Sequence, residues 1–297
     1  MITGSRVIHS ATAIGAVFHG SRPTPGSGGT LASSAFTAPR QSATVVHEGR
    51  ELTYSYLDLQ PEKPRWQTPV LFVHGAAGHL AQWAPQIDYF SQRCRTIALD
   101  LRGHGQSSQP DWAEYQAEEF CEDMRLLLEH LHIQEPVAVV AHSYGGAAST
   151  LFTIRYPERV ERLVLLSTTG KLKVRTSILL FLKLPEGLLN PVQRAFHQRV
   201  GAPAHVLKKL VPNVGRWNGW DQYPKIRVPT LVMCGELDLL TRPKWVRRMA
   251  ELIPGARYEG ISFASHLPQL ERSARVNEAL QHFLAGGSQG VSALLGR

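Results

Sequence analysis

Cysteine is scarce in this chain of 297 residues: Cys94, Cys121 and Cys234 are the three, with no C-x-x-C spacing. An odd, sparse count argues against a disulfide framework and for a reducing compartment. No stretch approaches the roughly 18 consecutive apolar residues that mark a membrane-spanning helix. Acidic residues are absent from residues 1–47, which hold three arginines, and scarce between 170 and 227, where eleven Lys/Arg face Glu186 and Asp221. Those segments carry +3 and +9 against a whole-chain charge of +8, so the remainder is net −4. The basicity is local, and no zinc finger, basic helix run or RNP-like aromatic motif accompanies it, which argues against a nucleic-acid-binding protein. What is present is ordinary: 43% apolar and 19% charged residues supply a sizeable core, enough for one large α/β domain with an insertion or for two small domains.

Residues 1–42 are rich in Gly, Ser, Thr, Ala and Pro, as in the run Gly20-Ser21-Arg22-Pro23-Thr24-Pro25-Gly26-Ser27-Gly28-Gly29. Such a segment buries too little apolar surface to offset its ordering entropy, and reads as a disordered tail. Its acid-free, Ser- and Arg-containing character also fits an organelle transit peptide, and the short patch Ala11 to Phe18 a secretory signal. Without either signal the chain is cytoplasmic. From 43 onward strands and helices alternate. Strands are predicted at 43–48 and 52–57 (joined by a turn at Gly49), then at 70–73, 96–99, 137–140, 163–166, 230–233 and 257–261. Short apolar runs suit strands buried on both faces of a mostly parallel sheet. Helices are predicted over 117–131, 243–252 and 271–283; the first aligns Phe120, Met124, Leu127, Leu128 and Leu131 on one stripe. Alternation of this kind predicts a doubly wound α/β sheet. It fails over 170–227, where helical fragments are broken by Pro185, Pro191, Pro203 and Pro212; this stretch is predicted to be a small helical cap. The expected divisions are a tail (1–42), a core in two parts (43–169 and 228–286), the cap (170–227) and a C-terminal tail (287–297).

The chemistry centres on Ala141-His142-Ser143-Tyr144-Gly145-Gly146, directly after the apolar run 136–140. Small residues two before and two after a serine, where a strand turns into a helix, form the G-x-S-x-G nucleophile elbow, with Ala in the first Gly position. The tight turn excludes bulk and lifts the hydroxyl clear of the backbone. The strand at 70–73 runs into His74-Gly75-Ala76-Ala77-Gly78, a loop whose backbone N–H groups can face the sheet end. The N–H groups of Ala76 and Tyr144 are the candidate oxyanion hole. An orienting acid is sought past a strand end. Asp238, in Cys234-Gly235-Glu236-Leu237-Asp238, is favoured over Glu236 by its place on the loop. Among thirteen histidines, His266 follows the last strand, just before the final helix, and is the candidate base. His142 is expected to point into the fold and His74 to brace its loop. His104 sits in a turn, and His79, His130, His132, His197 and His205 lack a strand-end position.

With these pieces in place the chain resembles the α/β-hydrolase superfamily over about residues 43–285. The matching motifs are His74-Gly75 with Gly78 and Trp83; Asp100-Leu101-Arg102-Gly103-His104-Gly105-Gln106-Ser107; the elbow at 141–146; Tyr156-Pro157-Glu158-Arg159-Val160; Gly235-Glu236-Leu237-Asp238; and His266-Leu267-Pro268. The resemblance implies an α/β-hydrolase fold: a mostly parallel eight-stranded sheet flanked by helices, a cap after the sixth strand and a Ser143-Asp238-His266 triad. Ala141 and Ser265 stand where many members have Gly. A serine nucleophile sets the chain apart from haloalkane dehalogenases and epoxide hydrolases. The loop after Gly75 lacks the Gly-Pro-Gly run and Asn of ring-fission C–C hydrolases.

The implied reaction is hydrolysis of a carboxylic ester or thioester through an acyl-enzyme, with no cofactor or metal. Within the predicted cap, 177–184 is apolar nearly all round. It is read either as a helix packed on the core or as an acyl-chain pocket or interfacial lid. Leu179, Phe181, Trp217 and Trp220 are the candidate pocket residues. The cap's positive charge suits an anionic substrate or peripheral contact with an anionic membrane surface, or is simply a solvated face. Other acyl chemistry on the same scaffold (C–C hydrolase, acyltransferase or perhydrolase) and a non-catalytic ligand receptor are the rival readings. The oligomeric state is not legible.

Overall fold

The computed structural model describes residues 39–174, 176–189 and 201–286. The expected C-terminal tail, nearly all of the expected N-terminal tail, Pro191 and His197 lie outside them. Eight strands form one sheet: β1 (Gln41–His47), β2 (Arg50–Leu59), β3 (Val70–Val73), β4 (Thr96–Leu99), β5 (Val137–His142), β6 (Val160–Leu166), β7 (Thr230–Gly235) and β8 (Arg257–Ile261). Their order is β1-β2-β4-β3-β5-β6-β7-β8. β1 and β2 pair antiparallel, as do β2 and β4, and all other pairs are parallel. β1 begins at Gln41, two residues inside the expected tail, because its pairing with β2 runs the full length from Gln41↔Tyr56 to His47↔Arg50. The hairpin closes on Glu48 and Gly49, with φ of 51° and 72°. Both central residues thus have the left-handed backbone that lets a two-residue loop follow strand twist.

Helices α1 (Ala84–Phe90), α2 (Ala117–His130), α3 (Tyr144–Arg155), α4 (Thr176–Phe181), α5 (Ala204–Arg216), α6 (Pro243–Leu252), α7 (Pro268–Glu271) and α8 (Ser273–Ala285) fill the connections. α2 starts where the Glu119 carboxylate accepts the Gln116 N–H at 2.9 Å, satisfying a donor that the helix cannot. Successive β3 residues go to opposite faces of the sheet. Leu71 and Val73 join Phe120, Met124, Ala147 and Val246 in one core, and Val70 and Phe72 join Ile87, Phe90, Val276 and Leu280 in the other. The chain passes from β3 outward to β4 and then back to β5 on β3's other side. The crevice beyond the carboxyl ends of β3 and β5 is therefore the topological switch point, where ligands bind in open α/β sheets.

The connection from β6 to β7 departs from two expectations. Pro212 does not break a helix: α5 runs through it. Proline removes one intrahelical hydrogen bond, but α5 is anchored from outside. Lys209 Nζ donates to the carbonyls of Asp111 at 2.6 Å and Ala113 at 3.1 Å, and Asn213 Nδ2 to that of Glu114 at 2.6 Å. α4 is not packed on the core. None of its residues is buried, and Leu180 is 59% exposed.

Candidate active site

β5 is buried along its whole length and leads into Ser143, whose backbone is left-handed (φ 50°, ψ −123°). A non-glycine residue held there stores about 1–3 kcal/mol of strain. Surrounding bonds maintain it: the Ser143 N–H donates to Leu166 O at 2.9 Å and Gly146 N–H to Ser143 O at 2.9 Å. Gly145 explains the small-residue requirement, since a Cβ there would collide with the carbonyl oxygen of His74. The β3 loop thus lies directly on the first turn of α3.

The β3 loop itself turns tightly, with Gly78 N–H donating to Gly75 O at 3.0 Å and Ala77 at φ 57°. His74 braces it as expected. Its Nε2 accepts the Leu101 N–H at 3.0 Å, which leaves Nδ1–H to donate to Gly75 O at 2.8 Å. Burial holds His74 well below its ordinary pKa, so the ring is neutral. The N–H groups of Ala76 and Tyr144 find no acceptor among the described residues. Gly201 clamps this loop from beyond α4: its N–H donates to Ala77 O at 2.7 Å and its carbonyl accepts Gly105 N–H at 2.7 Å.

The structure brings three of the predicted residues together. His266 Nε2 lies 3.2 Å from Ser143 Oγ, and His266 Nδ1 lies 2.9 Å from Asp238 Oδ2. Ser143 and Asp238 are buried, while the His266 side chain keeps 22% of its surface open to solvent. Asp238 turns inward from a loop whose Leu237, Leu239 and Leu240 are exposed, and Glu236 is exposed on the same loop. The inward turn is an Asx turn: Oδ1 accepts the N–H groups of Leu240 at 2.8 Å and Thr241 at 2.9 Å, and Oδ2 accepts the Thr241 hydroxyl at 2.5 Å. Burial alone would raise the Asp238 pKa. The hydrogen bonds from His266 and Thr241 outweigh it and hold the carboxyl well below the usual carboxylate range. Thr241 was missed from the sequence; the Asp-x-x-Thr spacing just before the helix start at Pro243 was its signal.

His142 does point into the fold. Its Nε2–H donates to the His266 carbonyl at 2.8 Å, and burial, then the neighbouring His266, push its pKa down to about 3. It is a neutral brace and no competitor to His266 as a base. Two further histidines serve locally: His104 Nδ1 bonds the Arg102 carbonyl at 2.9 Å and His79 accepts the Ala81 N–H at 3.3 Å.

The predicted pocket residues have different surroundings. Trp220 packs edge-on against Tyr223, lies near Trp245 and covers Gly170, while Trp217 covers Gly219. Both tryptophans thus pack as part of the core periphery. Leu179 is half-buried and Phe181 is 43% exposed on α4. A surface depression of about 610 Å³ is lined by residues Glu236 to Leu239 and Arg242 to Lys244, flanking Asp238. Among the described residues no group of three or more His, Cys, Asp or Glu is placed to hold a metal ion, and no helix is long and apolar enough to cross a membrane.

A buried parallel sheet, a serine on a strained strand-to-helix turn and a histidine returning from the last strand define a class. The chain has the α/β-hydrolase fold, and a family model described as the alpha/beta hydrolase fold matches residues 68–203. Among curated relatives it is 27% identical over 240 residues to Protein ABHD8 of Bos taurus, which covers 72% of this chain and 55% of the relative. The chain thus spans about half the length of that relative. It is also 27% identical over 245 residues to Carboxylesterase YbfK of Bacillus subtilis, covering 75% of this chain and 82% of the relative. A thermophilic esterase from Thermogutta terrifontis superposes with a TM-score of 0.70 over 84% of this chain and 99% of its own, at 24% identity, which is a likeness of fold.

Proposed function

We propose that the protein is a serine hydrolase that cleaves a carboxylic ester or thioester through an acyl-enzyme. The observation that carries the reading is the bridge of His266 between Ser143 Oγ at 3.2 Å and Asp238 Oδ2 at 2.9 Å. Asp238 fixes the tautomer in which Nδ1 bears the proton, leaving Nε2 free to accept. Ser143 Oγ attacks the carbonyl carbon as its proton passes to His266 Nε2. The resulting oxyanion lies against the free N–H groups of Ala76 and Tyr144, donors of a kind worth about 2.7–4 kcal/mol each in the transition state. The tetrahedral intermediate collapses, the C–O or C–S bond breaks, and His266 returns its proton to the leaving alcohol or thiol. Water, deprotonated by the same nitrogen, then attacks the acyl-enzyme and releases the acid and Ser143. Likeness to a curated carboxylesterase supports an ester as the bond cleaved.

The pocket reading is narrower. Exposed Ile178, Leu180, Phe181 and Leu184, with half-buried Leu179, form an apolar surface on the β6–β7 connection, which we read as a cap. Such a surface suits an apolar acyl group. The test is turnover of p-nitrophenyl esters of graded chain length and of acyl thioesters, with fluorophosphonate labelling. Hydrolysis together with stoichiometric label on Ser143 is expected. Absence of both turnover and label would refute the reading.

A further inference from the structure

The backbone around His266 is tied at both ends by one side chain. The Glu271 carboxylate accepts the N–H of Ser265 at 2.7 Å and the N–H of Leu267 at 3.0 Å, one peptide on each side of His266. It also accepts the Ser265 hydroxyl at 2.6 Å. From the opposite direction His142 donates to the carbonyl of His266 itself at 2.8 Å. Glu271 closes α7, whose own turn is fastened to the same loop: the Leu267 carbonyl accepts the N–H groups of Leu270 and Glu271, both at 2.9 Å. Hydrogen bonds to an ionised acceptor are shorter and stronger than neutral ones. Burial acts to raise the Glu271 pKa, but the bonds from Ser265 and Leu267 prevail and keep it below its ordinary value, so the carboxylate is charged at neutral pH.

Glu271 contacts neither Ser143 nor Asp238, and its bonds are to exposed groups that water would otherwise satisfy. An exposed carboxylate that collects three donors from residues 265 and 267 fixes the direction in which the intervening ring projects. We infer that Glu271 is a positioning residue for His266, clamping its flanking peptides, with His142 holding its carbonyl, so that one imidazole spans Ser143 and Asp238. Displacement of a reacting group by about 1 Å is enough to lose on the order of 100-fold in rate.

The inference rests on the reading of Ser143 as a nucleophile, and the experiment separates the two. Wild type, Glu271→Ala, Glu271→Gln and Ser265→Ala are compared in kcat and KM on p-nitrophenyl butyrate, in the rate of Ser143 labelling by a fluorophosphonate, and in thermal melting. Glu271→Ala is expected to lose about 10–100-fold in both kcat and labelling rate, with KM within about twofold and little change in melting, as suits an exposed contact. Glu271→Gln, which keeps one acceptor oxygen, recovers part of the loss. Ser265→Ala, which removes only the hydroxyl contact, changes kcat by less than about threefold, in line with a single surface hydrogen bond. A wild type that is neither labelled nor active overturns the nucleophile reading and this one with it. An active wild type with Glu271→Ala equal to it in kcat and labelling, or altered only in KM, overturns the positioning role alone. Should the alanine variant fail to fold, Glu271→Gln decides by the same criteria.

Discussion

The central strands and the run 178–184 of the β6–β7 connection are comparably apolar in sequence and use it in opposite ways. β5 and β6 bury nearly every residue, while Ile178, Leu180, Phe181, Leu184 and Leu188 stand exposed. Apolar content does not by itself decide burial; a partner on each face does. A central parallel strand has a core on either side. A short helix that is apolar all round has no polar face to orient it, and nothing among the described residues covers α4. What holds the connection in place is polar and lies further along, where Gly201, Lys209 and Asn213 bond to backbone groups of the loops at 77, 105 and 111–114. The proposed chemistry accordingly sits wholly on strand ends, and under the proposed function substrate selection falls to the connection.

The most severe test of that division is Ser143→Ala. If the strand ends hold all the chemistry, kcat should fall by at least about 10⁴-fold while melting stays within about 2 °C of wild type, since a buried methyl replaces a nearly isosteric side chain. Asp238→Asn comes next. An amide facing His266 Nδ1–H favours the tautomer that protonates Nε2, and kcat should drop by about 10³–10⁴-fold. The same substitution has a pH signature. The folded Asp238 pKa is depressed, so its contribution to stability is complete above the unfolded value of about 3.9 and is lost as pH falls through the folded value. Melting temperatures of wild type and Asp238→Asn should therefore differ most at neutral pH and converge below about pH 4.

A pair of glycine substitutions sets the two regions against each other directly. Gly145→Ala drives a methyl into rigid backbone at His74 and should destabilise by about 3 kcal/mol, or roughly 10 °C in melting temperature. Gly215→Ala, in α5, places its methyl in ordinary contact 3.5 Å from Val174. It should stabilise by about 0.5–1 kcal/mol through helix propensity. Equal tolerance at the two positions would dissolve the contrast.

Sequence legibility follows the same boundary. The predicted strand at 137–140 is observed, lengthened to His142, because a short, Val-rich, wholly apolar run has few alternatives to a buried strand. β6 begins three residues ahead of its predicted start: Glu161 and Arg162 interrupt the apolar run, yet pair away their polarity on Thr68 and the Phe283 carbonyl at 2.5 and 3.0 Å. α1 escaped prediction since Ile87 and Phe90 are its only buried apolar residues, too few to display a period. Ser143, Asp238 and His266 were legible because each follows a strand, where chain order translates into spatial convergence. The supports were not. The His142 bond to His266 spans 124 positions. No periodicity encodes contacts of that kind.

The smallest expected effect lies on α4 and tests the other half of the division. Phe181 is 43% and Leu180 59% exposed, so replacing either with serine should change stability by less than about 0.5 kcal/mol. If this face receives an acyl chain, each buried methylene contributes up to about 0.8 kcal/mol, and contact with a few of them at a half-open surface gives a several-fold effect. Phe181→Ser should then raise KM for p-nitrophenyl octanoate several-fold and leave the acetate ester and the rate of fluorophosphonate labelling unchanged. A matching rise for both esters would place Phe181 near the reacting carbonyl. No change for either would remove α4 from the substrate path and leave its apolar surface with a role other than chain-length selection.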